Sequence, residues 1–403
     1  MTRLLRDTME DWAGEARVPP NLADRALRKR SWKPFGAAVL VMAMIGLVAV
    51  FVTVQREPAS VVRPANGISL PPRPSPAPTD VRTDTENVPP ATLIAAGRMA
   101  VSAYYVATME KAENGYQRVR RTWSLYDPRT GGYEQTAYGW VDVAPGLQVA
   151  AVLEGDLPSR RLGVLDMNTR QILAWYDLDH PVASAAWSPD GTKIVATAYS
   201  DYPDLRERAR GRVVPRMGDS PRTGYHLIDV TAGTVDYHEL APLPTIFSAD
   251  RGSADQLMGN RRQDLDWGVD GERLWSPTNT QPDRVWYTLD GRRTDAPADQ
   301  RYVGYSRIPA TSPDGRLVLG PDGLPTQITE VATGKVAGRQ QVLQLHAWAD
   351  DDNVIALGCA GKCENEFRNG LVLVSVDGSR TTRLAATSDS DKDGAWRWIL
   401  TPR

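Results

Sequence analysis

The chain has 403 residues, a formal net charge of −2 at pH 7, and 41% hydrophobic residues. This length is enough for one large domain or two ordinary ones. The nearly neutral charge argues against a nucleic-acid-binding protein, which normally carries a basic surface. The 2 cysteines are too few for a fold built on disulfides.

An uncharged apolar run, FGAAVLVMAMIGLVAVFVTV, occupies Phe35 to Val54. Roughly 20 residues at about 1.5 Å each span a bilayer's hydrocarbon core. A signal peptide fits poorly, because the preceding segment is long and no small-x-small cleavage site follows. Basic residues from Arg25 to Lys33 come just before the run, and by the positive-inside rule they remain in the cytoplasm. The sequence therefore predicts a single-pass protein of the cell membrane, with span 35–54 and an extracytoplasmic C-terminal region.

Two segments flank this span. Residues 1–34 form the cytoplasmic tail, which either serves only to fix topology or binds a partner. Residues 55–90 include PPRPSPAPTD and have few large apolar side chains. Such a composition cannot bury enough surface to fold, so the sequence predicts a disordered, extended Pro-rich linker between the membrane and a domain at 91–403.

Two kinds of turn alternate through residues 91–403. The first, here called the SPDG turn, occurs in WSPDGTKIVATAY (Trp187 to Tyr199) and SPDGRLVLG (Ser312 to Gly320), with weaker copies after Val143, Trp267 and Trp348. The second is an Asp/Thr-Gly turn, whose copies begin at Asp127, Asp166, Asp229, Leu289, Glu330 and Val376. Intervals of about 40 residues between equivalent turns are typical of β-propeller blades.

The predicted fold is an all-β, six-bladed β-propeller, with five or seven blades as alternatives. In each blade the SPDG turn joins the first two strands, and the Asp/Thr-Gly turn joins the last two. The C-terminal WRWILTP (Trp396 to Pro402) and the N-terminal GRMAVSAYY (Gly97 to Tyr105) are expected to complete one blade together. Such closure leaves no open sheet edge.

The phrase WSPDGTKIVATA resembles the repeat of TolB-like and WD-repeat-like propellers of bacterial envelope proteins. The whole arrangement is similar to actinobacterial single-pass membrane proteins with an extracytoplasmic propeller. This resemblance implies a fold and a location, but little chemistry.

Unusual segments are expected on the face opposite the SPDG turns. They are an Arg-rich insertion at 200–224, a connection at 244–263, the Cys359–Cys363 loop and the acidic stretch SDSDKDG. Binding loops tend to accumulate on one face, so this face is predicted to carry any functional surface. The insertion contributes a candidate binding run, partly neutralised by Asp204 and Glu207, that consists of Arg206, Arg208, Arg210, Arg212 and Arg216. It would contact an acidic partner, anionic lipid or a wall polymer; a solvated loop is the alternative.

Two further candidates lie near the C-terminus. Asp389, Asp391 and Asp393 have the D-x-D-x-D-G spacing of a calcium loop, but Leu400 stands where an EF-hand has its bidentate Glu, so an acidic surface turn fits equally well. Cys359 and Cys363 are expected to form a small disulfide outside the cytoplasm.

The sequence contains no recognisable catalytic constellation: its 4 histidines are scattered, and no G-x-S-x-G or phosphate loop is present. We therefore expect a non-enzymatic binding or scaffolding protein without a cofactor, whose partner is a protein or an envelope polymer. Two alternatives stay open. One is an anti-sigma-like protein whose tail binds a regulator, and the other is a calcium-dependent propeller hydrolase or lactonase.

Overall fold

Short strands joined by tight turns make up nearly all regular structure in the computed structural model. It describes residues 67–209, 211–216, 218–243, 261–277, 284–297, 308–320, 323–361, 363, 365, 367–390, 392 and 394–403. The predicted membrane span at 35–54 and the cytoplasmic tail lie outside these residues. Within the described ranges, no helix has the length and hydropathy of a membrane span.

Most of the described strands are short, and the longest of them are Met99–Lys111, Gln117–Asp127 and Ile172–Trp187. In chain order they are β1 (Val81–Arg82), β2 (Ala95–Ala96), β3 (Met99–Lys111), β4 (Gln117–Asp127), β5 (Gly132–Gln135), β6 (Trp140–Val143), β7 (Val149–Leu153), β8 (Ser159–Asp166), β9 (Ile172–Trp187), β10 (Lys193–Tyr199), β11 (Leu205–Ala209), β12 (Arg212–Pro215), β13 (Arg222–Asp229), β14 (Thr234–Glu239), β15 (Asp266–Trp267), β16 (Arg273–Pro277), β17 (Arg284–Thr288), β18 (Arg293–Thr294), β19 (Leu317–Leu319), β20 (Thr326–Glu330), β21 (Val336–Gln340), β22 (Gln344–Trp348), β23 (Asn353–Gly358), β24 (Arg368–Ser375), β25 (Thr381–Arg383), β26 (Ser388–Asp389) and β27 (Trp396–Pro402). One turn of 3₁₀ helix, Glu113–Gly115, lies between β3 and β4.

Successive strands pair as antiparallel meanders. Strands β6, β7, β8 and the first part of β9 form one meander, and the second part of β9 continues into the next with β10, β13 and β14. Strands β15–β18, β19–β21 and β22–β25 are connected in the same way. Strand β27 pairs with β3, which is followed by β4 and β5. The predicted pairing of the C-terminal strand with the N-terminal one is therefore confirmed, and the connectivity is that of a β-propeller.

The two close copies of the SPDG turn share one hydrogen-bonding pattern. In the turn between β9 and β10, Ser188 Oγ accepts from the Lys193 amide at 2.9 Å, and Asp190 Oδ1 accepts from the Thr192 amide at 3.0 Å. Ser312 and Asp314 repeat this pattern before β19. Gly191 has φ 69°, a left-handed conformation that favours glycine. These turns are structural, as their repetition in the sequence predicts.

Tryptophan side chains fasten adjacent meanders. Trp267 Nε1 donates to the Ala186 carbonyl at 2.9 Å, which connects β15 with β9, and Trp348 Nε1 donates to the Ala310 carbonyl at 2.7 Å. Both indoles are buried. A buried indole N–H requires an acceptor, so each bond both satisfies the donor and fixes one meander against the next.

Residues 67–90, here called the N-terminal segment, contact the domain. The Ile68 amide donates to the Val230 carbonyl at 3.0 Å, and the Arg73 guanidinium donates to the Asp190 carbonyl in an SPDG turn. Further along, β1 pairs with β2. The prediction of a disordered linker up to Pro90 is therefore wrong for these residues, because specific polar contacts replace the large apolar core that the segment lacks.

Asp84 is the main polar attachment of this segment. Its carboxylate accepts hydrogen bonds from the Ala91 amide at 2.7 Å, the Thr92 amide at 2.9 Å and the Asn87 side chain at 2.9 Å. Burial opposes ionisation, but these bonds outweigh it and lower the pKa of Asp84 to about 2. Both ends of the segment thus lie against the domain, and its middle crosses the face that carries SPDG turns.

Candidate functional site

A cavity of about 490 Å³ lies where the inner strands begin, at the ends away from the SPDG turns. We call it the mouth cavity. Strands β6, β9, β22 and β27 all contribute lining residues, among them Trp140, Ser184, His346 and Trp398. Asp266 lines it from β15. Converging inner strands produce this cavity, so its position follows directly from the propeller connectivity.

Aromatic side chains form much of the described lining. Trp140 Nε1 donates to the Ala185 carbonyl at 2.9 Å, which fixes its ring at the start of β6. Trp398 is held between two rings, with centroid distances of 5.2 Å to Trp396 and 5.9 Å to His346. These rings offer rigid apolar surface to a ligand at little cost in conformational entropy.

His346 adds a polar group to the same lining. Its Nε2 is buried and has no hydrogen-bond partner among the described residues. Burial lowers the pKa of His346 to about 4, so the imidazole is neutral at pH 7. A neutral imidazole facing a cavity can exchange a hydrogen bond with a ligand group.

A buried charge network supports one side of the cavity. The Asp204 carboxylate accepts from Arg121 Nη1 at 2.6 Å and from Arg262 Nη1 at 2.5 Å. Arg262 also bonds Asp264 at 2.6 Å, and the Tyr199 hydroxyl donates to Asp264 at 2.8 Å. Burial opposes ionisation of Asp204, but the two guanidinium groups hold the pKa of its carboxyl well below the ordinary range.

This network connects the 200–224 insertion to the cavity wall. Asp204 belongs to the insertion, and the guanidinium of its partner Arg262 lies 4.6 Å from the ring centroid of Trp140. The charge of Asp204 acts on Arg206 of the insertion's own run, in keeping with the predicted partial neutralisation. Its direct hydrogen bonds, however, go to Arg121 and Arg262, which come from other parts of the chain.

The described part of the Arg run lies on a hairpin. Strands β11 and β12 pair with each other, and β11 pairs with β4 through Arg118 and Gln117. Arg206 is half-buried and Arg208 is exposed. Arg216 forms an ion pair with Asp201 at 3.2 Å and lies 4.6 Å from the Tyr116 ring centroid. Arg210 and the side chain of Arg212 lie outside the described residues.

The C-terminal candidates are resolved only in part. Cys359 and Cys363 are joined by a disulfide between β23 and β24, with Cα atoms 5.5 Å apart. Asp389 accepts a hydrogen bond from Lys392 Nζ at 2.8 Å, so a cation of the chain itself already occupies this carboxylate. Asp391 and Asp393 lie outside the described residues, and calcium binding at this loop stays a prediction.

The residues of the mouth cavity were not predicted from the sequence. Trp267 and Trp348 are buried packing residues, whereas Trp140 and Trp398 line the cavity. One signal was available: Asp142 and Asp266 both lie one position before the residue that precedes an SPDG-type turn. Charged side chains are rarely buried without a partner, so a repeated Asp in the innermost strand indicates a polar environment there, and Asp142 accepts a hydrogen bond from the Trp187 amide at 2.8 Å.

No protein-family model matches the sequence. No curated protein matches it either. Among solved structures, TolB from Acinetobacter baumannii is similar at 15% identity and TM-score 0.34, over 75% of this chain and 67% of that one. The putative TolB from Agrobacterium tumefaciens is similar at 13% identity and TM-score 0.31, over 74% and 98%. The Cps50 (Swd1) β-propeller domain of Myceliophteria thermophila gives 11% identity and TM-score 0.35, over 77% and 90%. Because these TM-scores are low, the fold assignment rests on the strand pairing of the chain itself.

Proposed function

We propose that the domain is a non-enzymatic binding module that accepts an extended segment of a protein partner at the mouth cavity. One observation carries this proposal: the inner strands converge on an open volume of about 490 Å³ lined by tryptophans and polar side chains. Ligand pockets commonly have volumes of about 300–1,000 Å³ and combine apolar walls with a few polar groups. Several residues of an extended peptide fit this space.

The charge of the lining favours a basic ligand over an acidic one. Asp142, Asp264 and Asp266 line the cavity, and none of the described lining residues is Lys or Arg, although Asp264 is ion-paired with Arg262 and Asp142 accepts a hydrogen bond from the Trp187 amide. Aromatic faces and carboxylates together suit an ammonium or guanidinium group. We therefore propose a partner segment that carries Lys or Arg beside apolar residues. The Arg-rich insertion would suit an acidic partner, but Arg216 is already paired with Asp201.

The cellular setting belongs to the same proposal. The uncharged run at 35–54 supports a membrane anchor, and the basic residues before it support an extracytoplasmic domain. Six successive meanders among the described strands support six blades.

Site-specific photo-cross-linking in intact cells tests the proposal. A photoreactive amino acid replaces Gln344 in the cavity lining, and a matched variant carries it at Glu272, an exposed position in an SPDG-type turn. We expect a discrete adduct from position 344 and none from position 272. Adding Trp398→Ala should reduce the adduct at least about tenfold, because loss of a central Trp contact costs 1.4 kcal/mol or more.

Asp266→Asn in the same background tests the charge of the ligand, and it should weaken capture of a basic segment. Thermal unfolding of each variant checks that the domain remains folded. Equal adducts from positions 344 and 272, or an adduct unaffected by Trp398→Ala, would refute binding at the mouth cavity.

A further inference from the structure

Three potential metal ligands meet at the bend of β9. Asp179 and His180 lie where β9 leaves one meander for the next, and His226 lies on β13. Asp179 Oδ1 is 3.0 Å from His180 Nδ1 and 3.6 Å from His226 Nε2. One ligand atom from each of the three residues can be chosen so that all lie within 4.8 Å of one another. Strand topology, and no local sequence motif, brings them together.

We propose that Asp179, His180 and His226 bind one divalent transition-metal ion of the Zn²⁺ type, with solvent as the fourth ligand. Metal–ligand distances of about 2.0–2.1 Å in a tetrahedral site place neighbouring donor atoms roughly 3.4 Å apart. Two of the three observed spacings are already close to this value. The ligand set contains two imidazoles, which suit zinc, copper or nickel and do not suit calcium or magnesium, which prefer oxygen ligands.

The surroundings hold the ligands in place and leave the site open. The His180 ring stacks on Tyr237 with centroids 3.7 Å apart and planes 9° apart. His226 is buried, whereas Asp179 is exposed and His180 is half-buried, so an ion reaches the cluster directly from solvent. The position is distinct from the mouth cavity, and the proposal does not depend on the ligand proposed there.

The hydrogen bonding of His226 limits the affinity. Its Nε2 now donates to the His180 carbonyl at 3.1 Å, and its Nδ1 is buried without a partner among the described residues. Coordination through Nε2 moves the proton to Nδ1, for which no hydrogen-bond acceptor lies among the described residues. Loss of such an acceptor costs about 10–100-fold in metal affinity. We therefore expect weaker binding than in structural zinc sites.

Zinc titration of the full chain, purified without a histidine tag and treated with a chelator, tests the site. Zn²⁺ alone is the probe, and calorimetry measures stoichiometry and affinity. We expect one Zn²⁺ per chain, with affinity reduced at least about tenfold in Asp179→Asn and His180→Gln. Both side chains are substantially exposed, at 71% and 42%, so these variants should fold normally.

His238→Gln is the matched control, because His238 stacks on Tyr225 and is outside the cluster. It should bind Zn²⁺ as tightly as the unmodified chain. Absence of one-to-one binding in the unmodified chain would overturn the proposal. So would an equal loss of affinity in His238→Gln and His180→Gln.

Discussion

Replacing Asp204 by Asn should destabilise the domain far more than an ordinary surface substitution. The Asp204 side chain is 9% exposed, and its partners Arg121 and Arg262 are 12% and 13% exposed. Asn keeps a neutral acceptor but leaves two buried guanidinium groups without their shared anion. Breaking a buried ion pair by removing one partner costs about 3–5 kcal/mol. Because Arg262 keeps its bond to Asp264, we expect a loss of about 3 kcal/mol, at the lower end of this range.

Urea unfolding followed by tryptophan fluorescence measures this loss as a shift in the midpoint at constant m-value. Asp156→Asn is the matched control, since Asp156 pairs with Arg120 at 3.2 Å but is 67% exposed. Exposed pairs contribute about 0–1 kcal/mol, so this variant should unfold nearly as the unmodified chain does. A difference between Asp204→Asn and Asp156→Asn of less than about 1 kcal/mol would refute a stabilising role for the buried network.

Comparing the unmodified chain with Asp204→Asn at different pH values tests the role of the charge. The folded-state pKa of Asp204 is lowered, so its contribution is fully present above the unfolded pKa of about 4 and is lost as pH falls below that value. The stability gap between the unmodified chain and Asp204→Asn should therefore narrow at pH 3. An unchanged gap at pH 3 would show that the charge of Asp204 is not its cause.

Two further predictions concern other parts of the described chain. Asp84→Ala removes the acceptor for the Ala91 and Thr92 amides. Each hydrogen bond to a charged group contributes about 1.5–3 kcal/mol, so the N-terminal segment should detach and proteolysis within 67–90 should become faster. Unchanged cleavage rates would contradict the anchoring role of Asp84. In the folded domain the pKa of His346 is about 4, below its ordinary value of about 6.5. Between these pH values only the unfolded imidazole takes up a proton, so the free energy of unfolding should fall by up to about 3 kcal/mol as the pH falls from about 6.5 to 4. His346→Phe should abolish this part of the pH dependence, and an identical profile in the variant would show that another group titrates.

Local chemistry made the strand connectivity predictable. Within the six residues of an SPDG turn, as at Ser188–Lys193, the Ser and Asp side chains and the backbone carbonyls accept hydrogen bonds from the turn's own amides. The local sequence therefore determines where each hairpin lies. The same applies to closure, because six Asp/Thr-Gly turns against five SPDG-type turns leave one blade to be completed from both ends of the domain, and β27 pairs with β3. Neither inference needs knowledge of distant contacts.

Long-range polar contacts were not predictable in this way. Asp204 meets Arg121 and Arg262 across 83 and 58 residues, and nothing in its neighbourhood distinguishes it from Asp201 or Glu207. The N-terminal segment shows the same limit, since composition indicated disorder while Asp84 supplied a specific attachment. The composition of a charged or Pro-rich segment indicates only its average tendency to stay solvated. Whether the segment binds to the folded domain depends on single contacts, such as one correctly placed carboxylate.

The connections at the two ends of the inner strands differ in length, and this difference follows from chain connectivity. At the SPDG end the turns are tight, and the N-terminal segment crosses them through Arg73 and Asp190. At the other end the longer connections leave room for the mouth cavity, the insertion with Asp204, and the bend of β9 with Asp179 and His180. Tight turns with satisfied backbones offer few free polar groups, whereas long connections can carry insertions without disturbing the sheets. We therefore expect a binding function at the end where the inner strands begin. Loss of partner capture at position 344 with retained capture at position 272 would contradict this expectation.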